Sequence, residues 1–422
     1  MNKFTPEMIK RSIFNELKDH LIKKEISLIV GPRQAGKTTL MVLLKEYVET
    51  KGEKTVFLNL DIESDRQFFT SQDQLIRKIA LEIGESGGYV FIDEIQRKEN
   101  AGLFLKGLYD MNLPYKLIVS GSGAIELKEK VHESLAGRKR IFELSTISFI
   151  EFVNYKTEYR YETNLPEFFE LDHLHAQRLL EEYLNFGGYP RVVLEKTVEE
   201  KYRIIAELYQ SYLERDISYT LGVQKTESFT GLVRLMASQV GNLVNVSELA
   251  NTLGISTSTV NDYLWYMERT FLVNKITPYF KNMRKEITKS PVFYFYDFGM
   301  RNYALGRFGA SLNSESGFLF QNFVYHIIRE KIKNTPIQVR YWRTTDKAEV
   351  DFVIDRLKDT IPVEVKYKKL SKPEMTRSYR SFLSKYHSKF GYIVHLGNKS
   401  EEKIENARVF FLPYYQFLFK NL

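Results

Sequence analysis

The chain contains no cysteine among its 422 residues. That absence excludes a disulfide framework, thiolate metal sites and a cysteine nucleophile, and it makes the reducing cytoplasm the expected location. No uninterrupted apolar run reaches the roughly 20 residues that a membrane span needs. The opening MNKFTPEMIKRSIF also lacks an apolar core of signal-peptide length. Neither membrane insertion nor export is expected. Low-complexity and Pro/Gly/Ser-rich tracts are missing too, so the sequence reads as folded nearly throughout.

What is present is the composition of a globular protein, 43% hydrophobic and 27% charged. The length exceeds what one hydrophobic core organises, and at roughly 100 to 200 residues per domain it suggests two to four modules, of which three are expected. A net charge of +8 is a mild basic excess, compatible with a polyanionic partner but not diagnostic of one.

The first motif is GPRQAGKT, where Gly31, Pro32, Arg33, Gln34, Ala35, Gly36, Lys37 and Thr38 fit G-x-x-x-x-G-K-[ST], with Thr39 following. An apolar run, EISLIV, precedes it, and TTLMVLLKEYVE with helical spacing follows, so the predicted order is strand, loop, helix. In that setting backbone N–H groups and the helix N-terminus cradle phosphates, Lys37 reaches the terminal phosphates and the Thr38 hydroxyl binds Mg2+. ATP with Mg2+ is the expected cofactor. A second strand, GGYVFIDEIQ, ends in Asp93 and Glu94. Asp93 is expected to hold the metal, and Glu94 to polarise the attacking water, which favours hydrolysis over binding alone. KLIVSGSGAIEL predicts a neighbouring strand whose Ser120 or Ser122 senses the terminal phosphate. TVFLNLDIESD predicts another strand, ending at Asp61, a residue suited to the metal shell or to capping the next helix.

These motifs, together with ESLAGR (133–138), TISFIEF (146–152), NFGGYP (185–190), YFYDFGMRN (294–302) and AEVDFVI (348–354), resemble a prokaryotic AAA-type ATPase family. Its members carry a C-terminal domain of unknown function, DUF4143, and the resemblance spans nearly the whole chain. It implies an ATPase core of the AAA and STAND lineage followed by a helical lid. It further implies Arg138 as a candidate charge-stabilising arginine, acting on its own or a neighbour's ATP, and GGYP as a lid turn with Pro190 beside the adenine. Either a ring-forming homo-oligomer or a monomeric switch is compatible with it.

Between these lies VNVSELANTLGISTSTVNDYLWYMERTFLVNKI (244–276), with the spacing of a helix-turn-helix. Ser247 and Ser256 are the expected caps, Gly254 the turn, and Val260 and Leu264 the inward face. FLVNKITPYF then reads as a strand pair, giving a winged form that suits DNA or protein docking. The exposed face of the second helix carries no Lys or Arg, so DNA contact would need Lys275, Lys281, Arg284 and Lys285.

In the C-terminal part, EVDFVI and IPVEVKY place Asp351, Glu364 and Lys366 in a D…E-x-K arrangement. Glu364 and Lys366 are two apart on a strand and share a face. Two carboxylates and a lysine suit metal-dependent phosphodiester cleavage, similar to the restriction-endonuclease-like fold. Gln321 stands where that fold often has an acid, which weakens the expected metal site. From Lys366 to Lys389 eight Lys or Arg and one acid alternate with Tyr367, Tyr379 and Tyr386, a stripe suited to a phosphate backbone.

The expected architecture is thus α/β: a P-loop ATPase core (1–155) with helical lid (156–225), a winged helix-turn-helix (226–290) and a nuclease-like domain (291–422). ATP hydrolysis coupled to duplex or branched DNA is the leading expectation. The alternatives are a protein-docking regulatory switch and an ATP-gated nuclease.

Overall fold

The run Ile26–Gly31 is buried along its whole length and forms β1. Such a strand, apolar on both faces, belongs inside a parallel sheet. In the computed structural model, which describes residues 8–122, 135–219, 226–280, 290–308, 316–356 and 358–422, that is its position. The other strands of the sheet are β2 (Thr55–Asn59), β3 (Gly88–Asp93), β4 (Tyr115–Ser122) and β5 (Lys139–Glu143). Their order is β2-β3-β4-β1-β5, with every neighbouring pair parallel. β4 therefore separates the strand that leads into the phosphate loop from the strand that ends in Asp93. The helix Lys37–Glu49 packs Leu40, Met41, Leu44 and Val48 against Ile29, Phe91, Ile118 and Phe142. Ile13, Phe14 and Leu17 of the helix Ile13–His20 join the same core.

The chain divides into two compact units. The first takes residues 1–158, 188–226 and 264–272, and the second takes 159–187, 227–263 and 273–422. Of the helices expected as one lid, Leu165–Leu171 and His173–Phe186 fold with the second unit, while Pro190–Leu194 and Val198–Ser211 fold with the first.

The helices Val246–Leu253 and Thr257–Arg269 flank Gly254, whose φ of 62 closes the turn; the first helix and residues 257–263 of the second fold with the second unit, residues 264–269 with the first. The first of these is capped by Asn245, which accepts from the N–H groups of Ser247 and Glu248, and not by Ser247. Asn at the N-cap position outcompetes the serine two residues further on because its side chain reaches the unsatisfied donors of the first turn. Ser256 accepts from the Thr259 N–H at 3.0 Å, as expected. The strand pair is β6 (Val273–Ile276) with β7 (Val292–Phe295), antiparallel. The partner of β6 thus comes from beyond FLVNKITPYF, a segment that supplies one strand only. Lys281, Arg284 and Lys285 lie outside the described residues.

A six-stranded mixed sheet completes the second unit, in the order β12-β13-β11-β10-β9-β8. Its strands are β8 (Gln338–Arg343), β9 (Glu349–Asp355), β10 (Thr360–Val365), β11 (Phe390–His395), β12 (Ser400–Ile404) and β13 (Ala407–Pro413). The helix Arg377–Tyr386 buries Tyr379, Phe382 and Leu383 against Trp342, Val353, Ile393 and Phe411. Tyr379 is wholly buried, and its hydroxyl donates to the carbonyls of Pro362 and Tyr392. Within the basic stripe it is therefore a core residue and offers no stacking face to a nucleic acid.

The YFYDFGMRN segment explains its own composition. Asp297 caps the helix Phe298–Leu305 by accepting from the Met300 N–H at 3.2 Å, and Gly187 lies so close that a methyl group there would stand 2.3 Å from the same carboxylate. Gly299 would likewise collide with the Phe186 carbonyl. Buried Asn302 donates from Nδ2 to the carbonyls of Leu184 and Asn185, each at 2.9 Å, satisfying acceptors left over at the end of the helix His173–Phe186. Asn302→Ala is expected to cost about 1–3 kcal/mol by stranding those carbonyls. Thermal denaturation checks this, and an unchanged midpoint would contradict the packing described.

Candidate functional site: the phosphate loop and the C-terminal carboxylates

Gly31 ends β1 with no room for a side chain, since a methyl group on it would meet the Leu144 carbonyl oxygen at 2.1 Å. The loop then bends through Gln34 (φ 58) and Gly36 (φ 95) into the helix Lys37–Glu49. That helix has no side-chain cap, so its first turn presents backbone donors to an anion. The Lys37 ammonium is buried and donates to the carbonyls of Gly31 (3.1 Å) and Pro32 (2.8 Å), which curls it back over the loop. A buried cation beside the uncapped first turn of a helix is a donor set that a polyphosphate fits.

The Thr38 hydroxyl donates to Asp93 Oδ2 at 2.6 Å, and the Ser120 hydroxyl donates to Asp93 Oδ1. Asp93, fully buried at the end of β3, is thus gripped from two sides. The two oxygens of the Thr38–Asp93 pair are hard donors of the type Mg2+ prefers, so the residues present fit that ion. Glu94 follows in a left-handed conformation (φ 58), which swings it out of the strand direction, and the Gln96 amide donates to its carboxylate. Sequence reasoning did not single out Gln96, although its position two residues beyond the second acid was readable.

Of the two serines considered as sensors, Ser120 is the one in contact with Asp93. Ser122 pairs with Gly31 at the end of β4, which sets its backbone beside the loop, but its side chain lies outside the described residues. Asp61 does not cap the helix that follows it, although the preceding Leu60 N–H donates to the Asp93 carbonyl at 3.1 Å. The Asp61 carboxylate pairs with Arg97 at 2.8 Å, and the helix Glu63–Arg66 begins after Ile62. Arg138 precedes β5 and accepts at its carbonyl from the Ile26 N–H, which puts it at the start of β1, across the sheet from the loop at the end of β1. Its guanidinium is bound to both carboxylate oxygens of Asp110, at 2.7 and 3.2 Å. Arg138 therefore does not act on a nucleotide in its own loop. Pro190 lies over the loop, with its Cγ 3.9 Å from where a methyl group on Gly36 would sit. The following residue, Arg191, donates to Gln34 at 3.3 Å and pairs with Glu207 at 3.1 Å.

The C-terminal constellation is also assembled within its own unit. Asp351 on β9 accepts from the Val365 N–H at 2.7 Å and from the Gln321 amide at 2.9 Å, while Lys366 stands 3.8 Å from Glu364. Burial, reinforced by the neighbouring Glu364 charge, pushes the Asp351 carboxyl well above its usual range. Burial also raises Glu364, with Lys366 opposing. Among the described residues no group of three or more His, Asp or Glu side chains is placed to hold a metal. Gln321 stands where the third acid was wanted and donates to an oxygen that a metal would need, so the residues here fit a divalent ion poorly.

A parallel sheet with a phosphate loop on β1 and an acid pair on β3, one strand removed, defines an α/β P-loop ATPase fold. Residues 23–153 match the family described as "AAA domain", and residues 316–417 match "Domain of unknown function (DUF4143)". Residues 177–311 match a further domain of unknown function, DUF8612. The chain thus carries an AAA-type ATPase domain at residues 23–153 and a C-terminal DUF4143 domain at residues 316–417. Similar proteins include an uncharacterized protein of Haemophilus influenzae, 26% identical over 353 residues that cover 81% of this chain and 82% of that one. An uncharacterized protein of Mycobacterium tuberculosis is 27% identical over 379 residues, 89% of this chain and 77% of the relative. Among solved structures, the Aeropyrum pernix Orc1 protein in complex with DNA aligns at a TM-score of 0.35 and 12% identity, covering 72% of this chain and 94% of that one. The replication initiator DnaA, bound to AMPPCP and single-stranded DNA, aligns at 0.31 and 16%, covering 64% and 92%. No helix among the described residues is long and apolar enough to cross a membrane.

The raised Asp351 carboxyl holds its proton more tightly in the folded chain than in the unfolded one, so stability falls as pH rises from the ordinary carboxylate range through the folded value. Asp351→Asn is therefore expected to gain stability relative to the wild type at pH 8, with the gain shrinking toward pH 4. Denaturation midpoints at the two pH values check this. A variant less stable at pH 8 would contradict the electrostatic account.

Proposed function

We propose that this protein hydrolyses ATP and uses its nucleotide state to control DNA binding by its C-terminal modules. The observation that carries the hydrolytic half is the joined set Thr38–Asp93–Ser120 with Glu94 beside it, anchors for metal and water on adjoining elements. Lys37 would exchange its loop carbonyls for the terminal phosphates, while Thr38 and Asp93 would hold Mg2+, which supplies charge neutralisation at the transferred phosphoryl group. Ser120 keeps the Asp93 carboxylate oriented. Glu94, restrained by Gln96, orients water and accepts its proton. Pro190 covers the loop from the side where the base would lie. Arg138 keeps a role toward ATP only if it reaches the loop of a neighbouring copy in an oligomer.

For DNA, the supporting features are the capped helix-turn-helix with its following strand pair, read as a winged form, and the exposed Lys368, Lys369, Lys372, Arg377, Arg380 and Lys389 on a sheet of restriction-endonuclease-like pattern. Because Asp351 is protonation-prone and tied to Gln321, this domain is read as holding DNA and not cutting it. A second reading, a regulatory switch that docks proteins, is favoured by one observation: from Thr257 to Glu268 the second helix carries no Lys or Arg. Cytoplasmic action is part of this proposal, in keeping with the cysteine-free composition.

ATPase rates with and without duplex, single-stranded and branched DNA test the proposal. Glu94→Gln is expected to lower kcat by about 100-fold or more. DNA of one form is expected to stimulate the wild type, and the effect should weaken with added salt. A rate indifferent to every DNA form would contradict the DNA half and leave the protein-docking switch.

A further inference from the structure

Arg11 precedes the first helix and belongs to no motif, yet its side chain is only 9% exposed and reaches the phosphate loop. Its Nη1 donates to the Ala35 carbonyl at 3.0 Å, and its Nη2 donates to the carbonyls of Ser145 (2.7 Å) and Thr146 (3.3 Å). Its Nε pairs with Glu151 at 3.1 Å. Glu151 is itself fixed: it caps the helix Phe149–Lys156 together with Ser148 and accepts from the Ser12 N–H and hydroxyl.

The consequence lies in the Ala35–Gly36 peptide. In a trans peptide the carbonyl and the following N–H point in opposite directions, and there are no cis peptides among the described residues. Holding the Ala35 carbonyl on the guanidinium turns the Gly36 N–H away from Arg11. The neighbouring residues Gln34 and Gly36 both have positive φ, which is uncommon for a residue with a side chain such as Gln34, so this peptide is held in a conformation that its surroundings must support. The same guanidinium fixes Ser145 and Thr146. The next residue, Ile147, donates to the Gly188 carbonyl at 2.7 Å, two residues before Pro190.

We infer that Arg11 is a positioning residue for nucleotide binding, which presets the Gly36 N–H toward the phosphates and braces the turn carrying Pro190. This inference rests on the nucleotide reading of the loop. Arg suits the task because its rigid fork satisfies several acceptors at once, whereas a lysine supplies one point charge.

Calorimetric titration of the full chain with ATP and Mg2+, alongside thermal midpoints without nucleotide, tests it. Arg11→Ala is expected to weaken ATP binding at least tenfold, and Arg11→Lys by an intermediate factor. Glu151→Gln, which removes the ion pair but keeps the cap and the Arg11–Ala35 bond, is expected to lower the midpoint while staying within threefold of wild-type affinity. A folded Arg11→Ala that binds ATP like the wild type overturns the inference. Should Arg11→Ala fail to fold, Arg11→Lys decides: wild-type affinity overturns the inference and weakened affinity with a retained midpoint supports it. Glu151→Gln losing affinity as much as Arg11→Lys would also overturn it, because the effect would then track general stability. A wild type that binds no ATP would sink the nucleotide reading itself, a distinguishable outcome.

Discussion

The hydrogen bond from Thr38 to Asp93 joins two parts of the chain that only this sheet order brings together. Thr38 opens the helix after β1, and Asp93 closes β3. With β4 inserted between those strands, the two residues meet above its end, where Ser120 supplies the third partner. Everything that gives the site its chemistry follows from that placement. The loop must curl tightly, which Gly36 permits, and the acid must be buried, which a strand apolar on both faces ensures. Glu94 must then leave the strand direction, as its left-handed backbone allows.

A second constraint concerns how the chain passes between its compact units. One crossing falls between Gly187 and Gly188. On its own side each glycine is pressed against a neighbour: Gly187 against Asp297 in the second unit, Gly188 against Ile147 in the first. Two residues later Pro190 lies over Gly36. Residues 188–190, in the first unit, thus run next to the loop.

Much of this was legible in the sequence because the relevant signals are local. Strand, loop and helix around Lys37 follow from apolar spacing and glycines, and the acid pair closing β3 follows from a four-residue apolar run. The helix-turn-helix was legible from Gly254 and Ser256. What could not be read depended on contacts between distant segments. Arg138 looked available until its pairing with Asp110 and its place at the start of β5 were known. Tyr379 looked like a stacking ring because burial cannot be inferred from a charged neighbourhood. The partner of β6 was misjudged because it lies past a 15-residue interval, from 277 to 291. Arg11 carries no motif at all, and its four acceptors come from three separate stretches of chain.

The central claim is that Thr38 and Asp93 form a preassembled metal anchor beside a phosphate loop. Titration calorimetry with ATP, in the presence and absence of Mg2+, tests it most directly on the wild type and on Asp93→Asn. The expected result is that Mg2+ tightens ATP binding to the wild type at least tenfold, while Asp93→Asn keeps the magnesium-free affinity and loses the enhancement. Equal affinity with and without Mg2+ in the wild type, or no heat of binding at all, would contradict the account.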